Sequence, residues 1–166
     1  MYYFYKQGVI PSQPTLPAGV IIKRQIPKPF VKNMYSMQMG KKRFCYFFLM
    51  TFLYRGISRV FKEYDVIIED EVVSKAVLVS KVPIYHFLPK GGVHLCYCET
   101  ISEARGHGYY PLLLSYIQND NPQMELFMIV EETNYASIRG IEKAGFVKYA
   151  KGEKLENGKF VAKYLI

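Results

Sequence analysis

The sequence predicts an α/β (α+β) chain: a mixed central sheet with a parallel strand–helix–strand core, flanked by helices. Three observations carry this. Between residues 93 and 146 a strand pattern, a glycine-rich turn, a leucine-rich helix pattern, an apolar strand and a second helix pattern follow one another, as in a parallel crossover. Hairpin signals bracket that unit, at an acidic turn near residues 69–71 and at an Asn-Gly pair, residues 157–158. The 166 residues, 50% of them hydrophobic, suit one domain with a substantial core.

Taken in order, "MYYFYKQ" opens with an extended piece over residues 2–6, and another follows at 20–25. The proline-rich "VIPSQPTLPAG" between them is an ordered loop or arm, and "IPKPF" breaks the chain again. Residues 33–57 carry a helical pattern, although their aromatics leave a strand open in part. Within them "FCYFFLMTFLY", residues 44–54, is eleven residues long. A spanning helix needs roughly 18 or more, so the run is expected as a buried core helix with no membrane span. The preceding "KKR" leaves a membrane-surface role as the alternative. Residues 65–82 read as a hairpin, 93–101 as a strand, 111–118 as a helix and 124–132 as a strand buried on both faces. A short helix from Asn134 to its stop at Gly145 leads into the final hairpin, 147–155 and 159–166. The chain divides into an arm with acceptor-side elements (1–64) and a core (65–166) within one domain.

Composition excludes several classes. The charged fraction of 22% and the apolar content are those of a globular protein, not a disordered one. A net charge of +8 favours anionic partners, but the basic residues are scattered and no RNA motif is present, so nucleic acid is not expected as a partner. Cys45, Cys96 and Cys98 form no disulfide framework and no zinc pattern; Cys96 and Cys98 should share one strand face. No metal site is expected. The N-terminal residues lack the pattern of a signal peptide, and a reducing cytoplasm is the expected location.

"SEARGHGYYPLLLSYI", residues 102–117, becomes glycine-rich and basic where a helix begins. One reading is structural: glycines turn the chain and Pro111 starts the helix. The other is an anion site, in which Gly106 and Gly108 let bare backbone amides approach a phosphate while Arg105 adds a charge-assisted bond. The stretch is neither a Walker loop nor a dinucleotide fingerprint. "NYASIRGIEKAGF", residues 134–146, is explained as a helix by its cap, packing residues and glycine stop. Helix physics does not explain why the two stretches occur together.

R-G-x-G at one helix start, then after one strand N-x-x-S-x-x-x-x-E-K-x-G-F, resembles the GNAT superfamily of acetyl-CoA-dependent N-acetyltransferases over residues 66–166. The resemblance implies a mostly antiparallel sheet, acetyl-CoA as acetyl donor and a small amine as acceptor. Arg105, Gly106, His107, Gly108, Tyr109 and Tyr110 match the pyrophosphate loop, with Tyr110 where glycine or alanine is usual. Thr100 and Ile101 fall at the strand end that faces the cofactor arm, and Asn134 and Ser137 match the second motif. Ile141 stands where many members carry a tyrosine that protonates the departing thiolate. Either Tyr135 or Tyr149 then becomes the candidate acid, or the thiolate leaves without a dedicated one.

For the base there are two candidates. His94, Cys96, Cys98 and Thr100 should share one face of their strand, which puts His94 on the side of Thr100. Glu99 is nearer the expected chemistry but needs a bulge to reach it. The acceptor is expected against residues 33–64, rich in Phe and Tyr with Lys41, Lys42, Arg43, Arg55 and Arg59, which suits an amino-sugar nucleotide or a similar anionic amine. A homodimer is left open. A non-catalytic acyl-CoA-binding module and a peptide or protein amine as acceptor are the alternatives.

Overall fold

The computed structural model describes residues 1–25, 45, 61–80 and 86–166. Among the described residues eight strands form one sheet: β1 (Tyr2–Gln7), β2 (Ile21–Gln25), β3 (Phe61–Ile68), β4 (Glu71–Ser80), β5 (Val93–Thr100), β6 (Leu126–Glu131), β7 (Phe146–Lys154) and β8 (Phe160–Leu165). Their order across the sheet is β2-β3-β4-β5-β6-β1-β7-β8. Every neighbouring pair is antiparallel except β5 and β6. The crossover between those two carries helix α1 (Tyr109–Asp120), and helix α2 (Tyr135–Lys143) joins β6 to β7.

The elements form for local reasons. In the β3–β4 hairpin Glu69 and Asp70 both take positive φ, 50° and 65°, as a type I′ turn requires. Asn134 caps α2, its side chain accepting the Ser137 N–H at 3.1 Å. Helix α1 begins at Tyr109, two residues before the expected Pro111. Proline is tolerated there because the first turn's amides have no partner within the helix.

Both helices pack on one face of the sheet. The core there joins Leu113, Leu114 and Ile117 of α1 and Ile141 of α2 to Tyr64, Leu78, Leu95, Leu126 and Met128 from four strands. The C-terminal end of α1 is tied down by polar side chains. Gln118 Nε2 donates to Ala144 O at 2.7 Å, and Asn121 Nδ2 donates to Tyr64 Oη at 2.9 Å. That anchoring leaves the N-terminal end of α1 facing the gap between β5 and β6. On the other face Phe4, Phe127 and Tyr149 make edge-on ring contacts.

The extended piece at the N-terminus lies inside the sheet, antiparallel to β6 and to β7. The helical pattern at 33–57, its apolar run at 44–54 and most of the acceptor-side segment at 33–64 lie outside the described residues, apart from residue 45 and the start of β3. Among the described residues no helix is long and apolar enough to cross a membrane.

Candidate active site

The parallel ladder of β5 and β6 is short, with only Val93 opposite Leu126 and His94 opposite Phe127. Beyond His94 the strands part, and a cleft of about 990 Å³ opens between them, floored by β5 and β6 and walled by the start of α1 and by α2. Its lining includes Thr100, Arg105, Gly106, Gly108, Tyr109, Tyr110, Asn134 and Ser137, which brings both sequence motifs to one place.

A bulge in β5 sets what faces this cleft. Val77 pairs with Cys96 and Lys75 with Glu99, so one residue of β4 stands opposite two of β5, Tyr97 and Cys98. Tyr97 takes a φ of 51°, a conformation that costs a bulky residue about 1–3 kcal/mol. Beyond the bulge the face alternation is inverted. Cys98 packs with the helix-side core, and Thr100 Oγ1 meets Ser74 Oγ at 2.8 Å. Glu99 pairs with Lys75 on the opposite face, in step with His94 and Cys96.

Two expectations are thereby corrected. His94 does not share a face with Thr100, and Cys96 and Cys98 do not share one with each other, because strict alternation fails at Tyr97. The His94 ring lies edge-on to Phe87, 5.1 Å between centroids, and burial pulls its pKa down to about 3. That leaves it a poor base. The bulge puts Glu99 in step with His94, on the face opposite Thr100. Tyr149 is not among the residues lining the cleft; it packs on Phe4 and Phe127, and burial, then Glu125, raises its pKa. Tyr135 is 66% exposed at the start of α2.

The loop before α1 fits a phosphate. Gly106 and Gly108 both take a φ of 82°, and a Cβ at either would meet nothing within 4 Å, so the loop is bare on its outer side. Gly108 caps α1 with no side-chain hydrogen bond, and the first helical bond is from Leu112 N to Gly108 O. The amides of Tyr109 and Tyr110 thus have no partner within the helix, and the helix dipole favours an anion there. Arg105 Nε donates to Thr100 O at 3.2 Å, tying the loop to the end of β5. The ring of His107 stacks on Tyr109 and its Nδ1 lies 3.1 Å from Arg105 O, so His107 belongs to the loop's own architecture. Ile101 turns out of the cleft into an adjoining pocket of about 350 Å³, lined also by Lys75, Glu99, Thr100 and Arg105. Among the described residues no cluster of His, Cys, Asp or Glu could hold a metal.

The placement of Tyr110 was not legible in advance. Its ring lies against Gly140 of α2, and both it and Cys98 line the cleft. Burial raises both groups, Cys98 to about 12 and Tyr110 well above the ordinary phenol range, so both stay protonated at neutral pH. Glycine in a helix interior costs about 1 kcal/mol, and Gly140 was the available signal that something large packs there.

No protein-family model matches the sequence, and no curated protein matches it. Solved structures do match in fold. One is a GNAT-family acetyltransferase from Colwellia psychrerythraea, at 12% identity and a TM-score of 0.57, covering 89% of this chain and 52% of that one. A tandem GNAT protein from the clavulanic acid biosynthesis pathway matches at 15% identity and 0.58, covering 89% and 50%. A GCN5-related N-acetyltransferase from Kribbella flavida matches at 9% identity and 0.51, covering 88% and 53%. This chain therefore spans about half the length of these structures.

Proposed function

We propose that this chain, whose fold is that of the GNAT acetyltransferases, transfers the acetyl group of acetyl-CoA directly to the amine of a small acceptor. The observation that carries the reading is the parting of β5 from β6 beyond His94, in front of a helix start whose amides and glycines are bare. Acetyl-CoA supplies an activated acyl carbonyl and a good leaving group. The residues of the chain do the rest.

Arg105 and the amides from Gly106 to Tyr110 hold the pyrophosphate, with His107 stacked on Tyr109 to keep the loop in shape. Thr100, Asn134 and Ser137 flank the pantetheine arm, whereas Ile101, expected beside it, lines the adjoining pocket. Main-chain amides near Thr100, at the end of β5, polarise the carbonyl. Glu99 takes the proton of the attacking amine, directly or through one water. An amine whose own pKa is near 8 needs little help, and the rate comes largely from holding two reactants together, worth roughly 7–11 kcal/mol in ideal cases.

The acceptor in this reading is an amino-sugar nucleotide or a similar anionic amine, handled in the cytoplasm. A net charge of +8 supports it, since such a surface attracts phosphate and repels polyamines. The test follows free thiol at fixed acetyl-CoA over a panel of amino-sugar nucleotides, amino acids, peptides and polyamines. Turnover of peptides alone overturns the acceptor and keeps the transferase. Saturable coenzyme A binding with no thiol released from any amine makes the chain a binding module instead.

A further inference from the structure

We propose that the pocket beside the cleft holds the acceptor, and that the acceptor is an amino carboxylate, its amine placed at Glu99 and its carboxylate at Lys75. The inference rests on the transferase reading above and narrows its acceptor from anionic amines in general to zwitterions.

The pocket of about 350 Å³ meets the larger cleft at Glu99, Thr100 and Arg105, which line both. A molecule in it therefore touches the cleft at the proposed base. Its volume is at the small end of the range for ligand sites, about 300–1,000 Å³. That is room for an amino acid, whereas a sugar nucleotide would stand mostly outside. Charge points the same way. Among the described residues the lining has two cations, Lys75 and Arg105, and two carboxylates, Glu99 and Glu103. A balanced lining suits a zwitterion, while a diphosphate would meet both carboxylates.

Lys75 and Glu99 are the pair that can read both ends of a zwitterion. They stand opposite each other on antiparallel β4 and β5. Residues so paired have Cβ atoms about 4.5–5.5 Å apart and side chains on one face. An amine and a carboxylate joined through one or two carbons match that spacing. Lys75 is held from behind: its Nζ lies 3.4 Å from Glu63 Oε1, and Asp65 is its partner in register on β3. Glu63 is 2% exposed, and burial, then the charge of Asp65, push its pKa up to about 7. It is thus a weak counter-ion. An ammonium has three donors, and the one on Glu63 leaves two for the pocket. Of the other two charges, Arg105 serves the pyrophosphate and is tied by Nε to Thr100 O, and Glu103 accepts from Ser102 Oγ at 2.6 Å.

The chemistry balances around that pair. The acceptor's ammonium first loses a proton to solvent. Its nitrogen then bonds to the carbonyl carbon, the carbon–sulfur bond breaks, and the electron pair leaves on the thiolate. Glu99 takes the proton that the nitrogen sheds, and the carboxylate stays on Lys75 throughout.

The test follows free thiol at fixed acetyl-CoA with α- and β-amino acids, each beside its amide, and with amino-sugar nucleotides. Wild type, Lys75→Met and Lys75→Arg are compared. Wild type should favour at least one acid over its amide by about tenfold or more in kcat/KM, mostly through KM, as expected for a charge-assisted bond. Lys75→Met should bring that ratio close to one, and Lys75→Arg, which keeps the charge, should restore most of it. A wild type that uses the amides or the amino-sugar nucleotides as well as the acids overturns the proposal alone, and that comparison needs no variant to fold. So does an unchanged acid-to-amide ratio in Lys75→Met, which would reduce Lys75 to a structural partner of Glu63. Coenzyme A binding with no thiol released from any amine overturns the transferase reading, and this inference with it.

Discussion

Ser74 Oγ and Thr100 Oγ1 lie 2.8 Å apart, joining β4 to β5 just past the bulge at Tyr97. That contact places Thr100 on the helix side of the sheet, and Glu99 with Lys75 on the other. In the proposed reaction the cofactor arm would meet the Thr100 face of β5 and the acceptor amine the Glu99 face.

Glu99→Gln should lower kcat by about 100-fold while leaving acetyl-CoA affinity unchanged, as expected for a base that touches only the acceptor. Steady-state kinetics together with a binding titration check this. Full activity in Glu99→Gln would leave the amine to lose its proton to solvent.

Asn134→Ala should cost about 0.5–2 kcal/mol of stability, because the Ser137 amide loses the oxygen that caps it at 3.1 Å. Denaturant unfolding measures the cost. Acetyl-CoA affinity should fall as well; a variant destabilised but unchanged in affinity would reduce Asn134 to a cap.

His94 makes stability depend on pH in a direction that can be worked out. Its folded pKa is about 3 against an unfolded value of 6.5, so the unfolded chain takes up a proton that the folded chain refuses. The His94 contribution is intact above pH 6.5 and is lost progressively as pH falls from there to about 3. Thermal unfolding of wild type and His94→Gln at pH 7 and pH 4 checks it: the Tm of wild type should drop further than that of the variant.

The back half of the chain was legible because its signals are local. The Asn-Gly turn, the Asn134 cap, the glycine stop at 145 and the run of apolar residues in β6 each act within a few residues, and all four elements form where those signals stand. The acid–acid turn at Glu69–Asp70 was legible for the same reason. What was not legible depends on partners distant in sequence. The interior place of β1 comes from pairing with residues 126–131 and 146–152, and "YYFYK" carries no alternation to announce it. The bulge at Tyr97 comes from register with β4, so counting along β5 put His94 on the wrong face. The packing of Tyr110 over Gly140 joins two helices whose contact no local pattern encodes.

The most direct test of the account is a calorimetric titration of acetyl-CoA into wild type and into Gly108→Glu. A Cβ at Gly108 meets no atom within 4 Å, so the substitution adds a charge in open space at the helix start, at the cost of a strained φ of 82°. Losing charge-assisted bonds worth about 1.5–3 kcal/mol should weaken binding tenfold or more. The account predicts saturable binding to wild type, and loss of affinity on that scale in a variant that retains the wild-type circular dichroism. Equal affinity in the two proteins, or no binding to wild type, would contradict it.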